Sequence, residues 1–308
     1  MYARSHVINP ASAISIKKAN MSQILQQQKT QLGVTLIEMM VGISIGLLVV
    51  AAAMGALMVS RSISGTVSDA SAIQQQAGYA MRVIGNQLRQ AGSLYLNPNP
   101  TNAASENVLT APVAFEASTP ASGGSALAFN PAIDTLSGTD STLTVGYRRY
   151  KEPVYTDSTD QALARNCAGG PANASSDLRV ESIFTLDGAA LRCGGNDTAA
   201  APQPIVQNVA DFQVRYLLQD NTTPGNSKIQ YVTAATVGTD WSKVQAVQVC
   251  LVLYGNEPTD MPTGSSYIGC NGNSVDMTTL TGARARRMHI AFRSVFQLRS
   301  QGLIGTVL

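Results

Sequence analysis

Residues 33–60 read GVTLIEMMVGISIGLLVVAAAMGALMVS, and from Met39 to Ser60 they give 22 consecutive positions without a charge. Coiled into a helix at ~1.5 Å per residue, that run reaches about 33 Å, enough to cross a hydrocarbon core about 30 Å thick. Glu38 stands at its head, and Arg61 closes it. A carboxylate at membrane depth costs roughly 2.5–3.5 kcal/mol, so such a residue ordinarily has a partner or a task.

The segment in front is basic. Residues 1–33 hold Arg4, Lys17, Lys18 and Lys29 and no acid, whereas the chain from Val34 onward has 17 basic and 19 acidic residues. The basic excess places the amino end in the cytoplasm and the long remainder across the membrane. A secretory signal peptide fits less well, because its apolar region runs about 7–15 residues and ends at small residues. A plain membrane anchor fits the layout equally.

Gly33-Val34-Thr35-Leu36-Ile37-Glu38 resembles the prepilin-peptidase signature of type IV pilins and type II secretion pseudopilins, with Val34 where that family usually has Phe. The resemblance implies a basic leader, 1–33, that is cut after Gly33. Val34 then becomes the N-methylated first residue, and Glu38 attracts the amine of a neighbouring subunit. An ammonium and a carboxylate are both costly alone in low dielectric and much less so when paired. The alternative for Glu38 is an interfacial side chain that snorkels to the headgroups. The leader begins at Met1 or at Met21, which opens a shorter leader of the length the family more often shows.

Beyond Ser60 the polarity rises while the helical period continues. Ile63, Val67, Ala70, Ile73, Ala77, Met81, Ile84, Leu88 and Ala91 recur at steps of three and four, one apolar stripe expected to pack on the protein's own sheet. Gln74 to Gln76, Arg82, Asn86, Gln87 and Arg89 fall mostly off it, and Gly92 is the expected stop. Gly42 and Gly46 form a GxxxG pair, a weak signal of close helix packing. Gly55 weakens the helix by about 1 kcal/mol relative to Ala.

The rest reads as a β-rich head. Between Arg89 and Arg148 there is no Lys or Arg, and turn clusters NPNP, STPASGG and LSGTDS imply loops with short strands. Period-two alternation then appears at Leu143, Val145 and Tyr147, at Phe212, Val214 and Tyr216, and at Val247, Val249, Leu251 and Leu253. Val180 to Leu186, Asp187-Gly188 and Ala189 to Leu191 spell a hairpin. Met288, Ile290, Phe292, Ser294, Phe296 and Leu298 share one face of a last strand, with Arg293 and Arg299 on the other. Helix first and strands later predicts an α+β fold, a long helix packed on an antiparallel sheet. The expected domains are leader 1–33, transmembrane helix 34–60, amphipathic continuation 61–92 and exported head 93–308.

STLTVGYRRY, VADFQVRYLLQD, WSKVQAVQVCLVLY and the final FQLRSQG resemble the PilW family of minor pilins, with GspJ-like pseudopilins as the nearest competitor. The resemblance implies a pilin-like fold and a subunit held in the inner membrane, head in the periplasm, before it reaches an extracellular filament tip. It implies the major pilin, other minor pilins, prepilin peptidase, the assembly platform and a large tip adhesin as partners. Its function would be to prime type IV pilus assembly. A secretion pseudopilin, or an adhesin that binds a surface ligand itself, are the alternatives.

Cys167, Cys193, Cys250 and Cys270 all fall on the exported side, where an even number suggests disulfides. Of three pairings, Cys167–Cys193 and Cys250–Cys270 close loops of about 20–26 residues, each worth roughly 3 kcal/mol. A four-thiolate zinc site is the rival, without the usual CxxC knuckles. Asp157 with Asp160, and Asp220 with Asn221 and Asn226, are thin calcium-loop candidates beside ordinary acidic turns. Asn173, Asn196 and Asn221 open N-x-[ST] sites, which mean little in the bacterial chain that the pilin resemblance implies.

Other function classes find little support. A body this close to neutral offers no basic face for nucleic acid. His289 is the one histidine after the leader, and there is no GxxxxGK[ST], HExxH or CxxC. The GxSxG string at Gly42–Gly46 sits in an apolar helix, not at a strand-to-helix turn. No catalytic residue, metal or cofactor is expected.

Overall fold

The computed structural model describes residues 33–93, 96–97, 114–115, 127–196, 201–220, 226 and 228–299. The basic leader up to residue 32 with both candidate starts, the clusters after Asn97 and at 118–124, Asn221 and the chain beyond Arg299 lie outside the described residues. Two compact units result, Met1–Val59 and Ser60–Leu308.

Helix α1 (Leu36–Gln90, 55 residues) contributes to both. In the first unit, every described residue from Gly33 to Val59 is exposed. This stretch is apolar all round, the composition of a helix whose solvent is lipid, and it is long and apolar enough to cross a membrane. The helix runs unbroken through Gly42, Gly46 and Gly55, and a Cβ added at any of the three would meet nothing.

The second unit holds the sheets. β1 (Leu96–Asn97) and β2 (Ala114–Phe115) form a small pair. β3 (Leu136–Gly138), β4 (Thr142–Arg148), β5 (Arg179–Asp187), β6 (Ala190–Gly195) and β7 (Gln203–Gln207) follow as a five-stranded antiparallel meander. β8 (Val209–Asp220), β9 (Lys228–Val232), β10 (Val244–Pro258) and β13 (Arg287–Gln297) make a four-stranded antiparallel sheet in the order β13-β10-β8-β9. Between β10 and β13, β11 (Ser266–Ile268) and β12 (Ser274–Asp276) form a hairpin. The alternation expected on β4, β8 and β10 is present, and the β5–β6 hairpin turns at Asp187-Gly188, where Gly188 has φ 60°.

One core joins the helix to both large sheets. Ile73, Ala77, Ala80, Ile84 and Leu88 pack with Leu143, Val145 and Phe184 of one sheet and Phe212, Val214, Val249 and Leu251 of the other. Small helix residues let the strands close in. A Cβ at Gly85 would lie 2.6 Å from Cε1 of Phe296. The helix stops as expected: Gly92 takes φ 67° and donates its N–H to the Gly146 carbonyl at 2.9 Å.

Two helix expectations need correction. Ile63 and Val67 lie on the apolar stripe yet stay 59% and 64% exposed, because packing on the sheets begins only near Asp69. There the buried Asp69 carboxylate accepts the Asn256 N–H at 2.9 Å and occupies the space a Gly255 side chain would need. Gln87, placed off the stripe, is buried because Ser182 of β5 donates to its Oε1 at 2.9 Å.

Candidate functional site

The amino-terminal signature sits on a capped helix end. Gly33, Val34 and Thr35 precede the first helical turn, and Val34 is 71% exposed. Thr35 is the cap: its Oγ1 accepts the Glu38 N–H at 3.3 Å, and its carbonyl accepts the Met39 N–H at 3.1 Å. Thr-x-x-Glu is the capping-box spacing. Among the described residues, nothing hydrogen-bonds the Glu38 carboxylate itself. That carboxylate stands in the first turn, where the helix dipole favours negative charge, and heads an apolar surface. The geometry offers one exposed peptide at Gly33–Val34 and one unpaired anion a turn away. The role of Thr35 was readable from its spacing to Glu38.

The cysteines form two disulfides, Cys167–Cys193 and Cys250–Cys270, with Cα–Cα distances of 6.0 and 5.6 Å. The first ties the loop before β5 to β6. The second ties the loop between β11 and β12 to the middle of β10. The thiols are thereby consumed, and the described residues hold no cluster of three His, Cys, Asp or Glu fit for a metal.

The remaining sequence candidates are structural. Ser44 Oγ donates to the Met40 carbonyl at 2.8 Å inside the helix, so GxSxG forms no nucleophile turn. Asp157 accepts from the Thr159 N–H and hydroxyl at 3.1 and 3.0 Å, a local turn; these bonds, the backbone one foremost, hold its carboxyl below the usual range. Asn196 accepts the Glu181 N–H at 2.9 Å, and Asn173 donates to Gln161 at 2.9 Å. His289 is buried, with Nδ1 2.8 Å from the Arg287 carbonyl oxygen and its ring stacked on Tyr267 at 5.2 Å. Arg284 Nε donates to its Nε2 at 3.3 Å. Burial foremost, then the Arg284 charge, push the imidazole below its ordinary pKa.

One buried cation went unread in the sequence. Arg149 is 1% exposed and donates to the carbonyls of Ala172, Asn173, Ser175 and Asp177 at 2.6–3.0 Å. Burial foremost and Arg165 lower its pKa, while Asp177 opposes them. Four carbonyl dipoles solvate the guanidinium, so it organises the 172–177 loop rather than a ligand.

Comparison with known proteins agrees with this layout. Residues 176–300 match the family model described as type IV pilus-assembly protein W, PilW. Residues 28–54, which bracket Gly33, Val34 and Glu38, match the prokaryotic N-terminal methylation motif. No curated protein matches the chain. Among solved structures, a type IV-like pilin from Thermus thermophilus aligns at 15% identity and TM-score 0.32, over 73% of this chain and 94% of its own. Over residues 176–300 the chain is thus similar to the PilW family of type IV pilus-assembly proteins, and at its amino end it carries a stretch similar to the prokaryotic N-terminal methylation motif.

Proposed function

We propose that this chain is a minor pilin that primes type IV pilus assembly and remains at the filament tip with other minor pilins. The observation that carries this reading is the unpaired Glu38 carboxylate in the first turn of an exposed apolar helix, one turn from the Gly33–Val34 peptide. Prepilin peptidase cuts that peptide on the cytoplasmic side and leaves Val34 as the methylated amino terminus. The subunit waits in the inner membrane with its disulfide-bonded head in the periplasm. In assembly, Glu38 pairs with the amine of an adjacent subunit, where the low dielectric makes both unpaired charges costly. The major pilin, the assembly platform and a large tip adhesin are the further partners.

The test is the amount of surface pilin sheared from cells that lack the gene, with and without complementation. Collapse of sheared pilin, reversed by the intact gene, is the expected result. Unchanged pilin moves the assignment to a secretion pseudopilin or a dispensable adhesin.

A further inference from the structure

The four-stranded sheet turns Phe212, Val214 and Tyr216 of β8 into the core. Its opposite face is covered over one half only. There the chain between β10 and β13 lies back on the strands. Cys270 is bonded to Cys250, Tyr267 stacks on His289, and Arg293 donates to the Gly269 carbonyl.

The other half is open. Leu217 of β8 faces Tyr231 of β9 on one side and Ala246 of β10 on the other. The adjacent row is Arg215, Gln248 and Val295. Ile229, two residues from Tyr231 and on the same face, is 59% exposed, Tyr231 57% and Val295 47%. β9 is also the sheet's edge strand. Arg215 lies half-buried in this surface and has no hydrogen bond or ion pair among the described residues.

A half-desolvated guanidinium without a carboxylate, beside exposed Tyr and Ile, has the make-up of an interface hot spot. The open rows contain no Asp or Glu. A second copy seated by a two-fold axis would set Arg215 against the same open rows, which hold no acid to relieve it. A lipid surface would have to bury the carboxamides of Gln248 and Gln297, which lie in the open rows.

We propose that this open half-sheet docks another pilin subunit, which lays apolar side chains on Ile229, Leu217, Tyr231 and Val295 and offers an Asp or Glu to Arg215. That the partner is a pilin rests on the assembly role proposed above; the surface itself does not.

The test places a photoreactive benzoylphenylalanine at Tyr231 in the full-length chain, in its host cells, with each co-expressed pilin tagged in turn. The proposal expects a crosslink to one tagged pilin. Arg215→Glu and Arg215→Gln, checked for both disulfides and an unchanged Tm, lower its yield about tenfold. Reversing one carboxylate of that pilin to Lys restores the yield with Arg215→Glu. Crosslinking only to a second copy or only to lipid, no crosslink, or a yield indifferent to Arg215 overturns the proposal. If cells still make surface pili while the Tyr231 crosslink is absent, the surface is wrong and the assembly role stands. If deletion of the gene leaves pili unchanged, the assembly role fails independently.

Discussion

The hydroxyl of Ser182 on β5 donates to Oε1 of Gln87 on α1 at 2.9 Å, with both side chains buried, and the same hydroxyl accepts the Cys167 N–H at 3.1 Å. One polar chain thus links the helix, a central strand and a disulfide inside an otherwise apolar core. A satisfied polar contact of this kind fixes helix rotation, because turning Gln87 away leaves two buried groups unpaired.

Gln87→Leu is therefore expected to destabilise the folded head by about 1–3 kcal/mol, even though Leu is the more apolar residue. Thermal unfolding of the detergent-solubilised chain checks this. An unchanged Tm would show that the Ser182 hydroxyl finds another acceptor.

Asp69 and Gly255 form a second lock, between α1 and the end of β10. Gly255→Ala inserts a methyl group where the Asp69 carboxylate sits, and a loss of about 1–3 kcal/mol is expected. Asp69→Ala also destabilises, because it removes the acceptor of the Asn256 N–H. The double variant should lose less than the sum of the two, since Asp69→Ala removes the carboxylate that the Gly255→Ala methyl group would overlap. Additive losses would refute the contact.

How much of this could be read in advance follows the range of the interactions. Strands β4, β8 and β10 were legible from period-two alternation, the hairpin from Asp187-Gly188 and the helix stop from Gly92, because each signal is local. Gln87, Asp69 and Arg149 were not, because their burial depends on partners at Ser182, Asn256 and the 172–177 loop, far along the chain. The stripe from Ile63 to Ala91 announced an apolar face but not how far the sheets extend along it. Glu38 was legible because an acid at the head of an apolar run is anomalous in itself. Arg215 looked like any outward residue of an alternating strand; only the uncovered neighbours on β9 and β13 single it out.

The Cys250–Cys270 bond pins the β11–β12 hairpin to β10. The double variant Cys250→Ala, Cys270→Ala should lose roughly 3 kcal/mol, from a closed loop of about 20 residues. Proteolysis should then cut first between residues 259 and 286. A first cut elsewhere would mean that Tyr267, His289 and Arg284 hold the hairpin without the disulfide.

His289 lies under that same hairpin, and burial keeps its folded pKa below the ordinary 6.5. The unfolded chain thus binds the proton more readily. The stability His289 contributes is complete above about pH 6.5 and is lost as pH falls towards its folded value. Asp211, raised mainly by burial, has the opposite sign: its contribution is largest in acid and lost as pH rises past the ordinary 3.8. Between about pH 7 and pH 5 the wild type should lose Tm, and His289→Gln should lose less. Equal slopes for the two proteins would contradict the assignment.

The most direct measurement is surface pilin sheared from a deletion strain that carries either the wild-type gene or Glu38→Gln, at equal membrane levels of cleaved protein. The account predicts that wild type restores pili and Glu38→Gln does not, although its head folds with both disulfides. Full restoration by Glu38→Gln would contradict it, and the carboxylate would then be an interfacial side chain without a part in assembly.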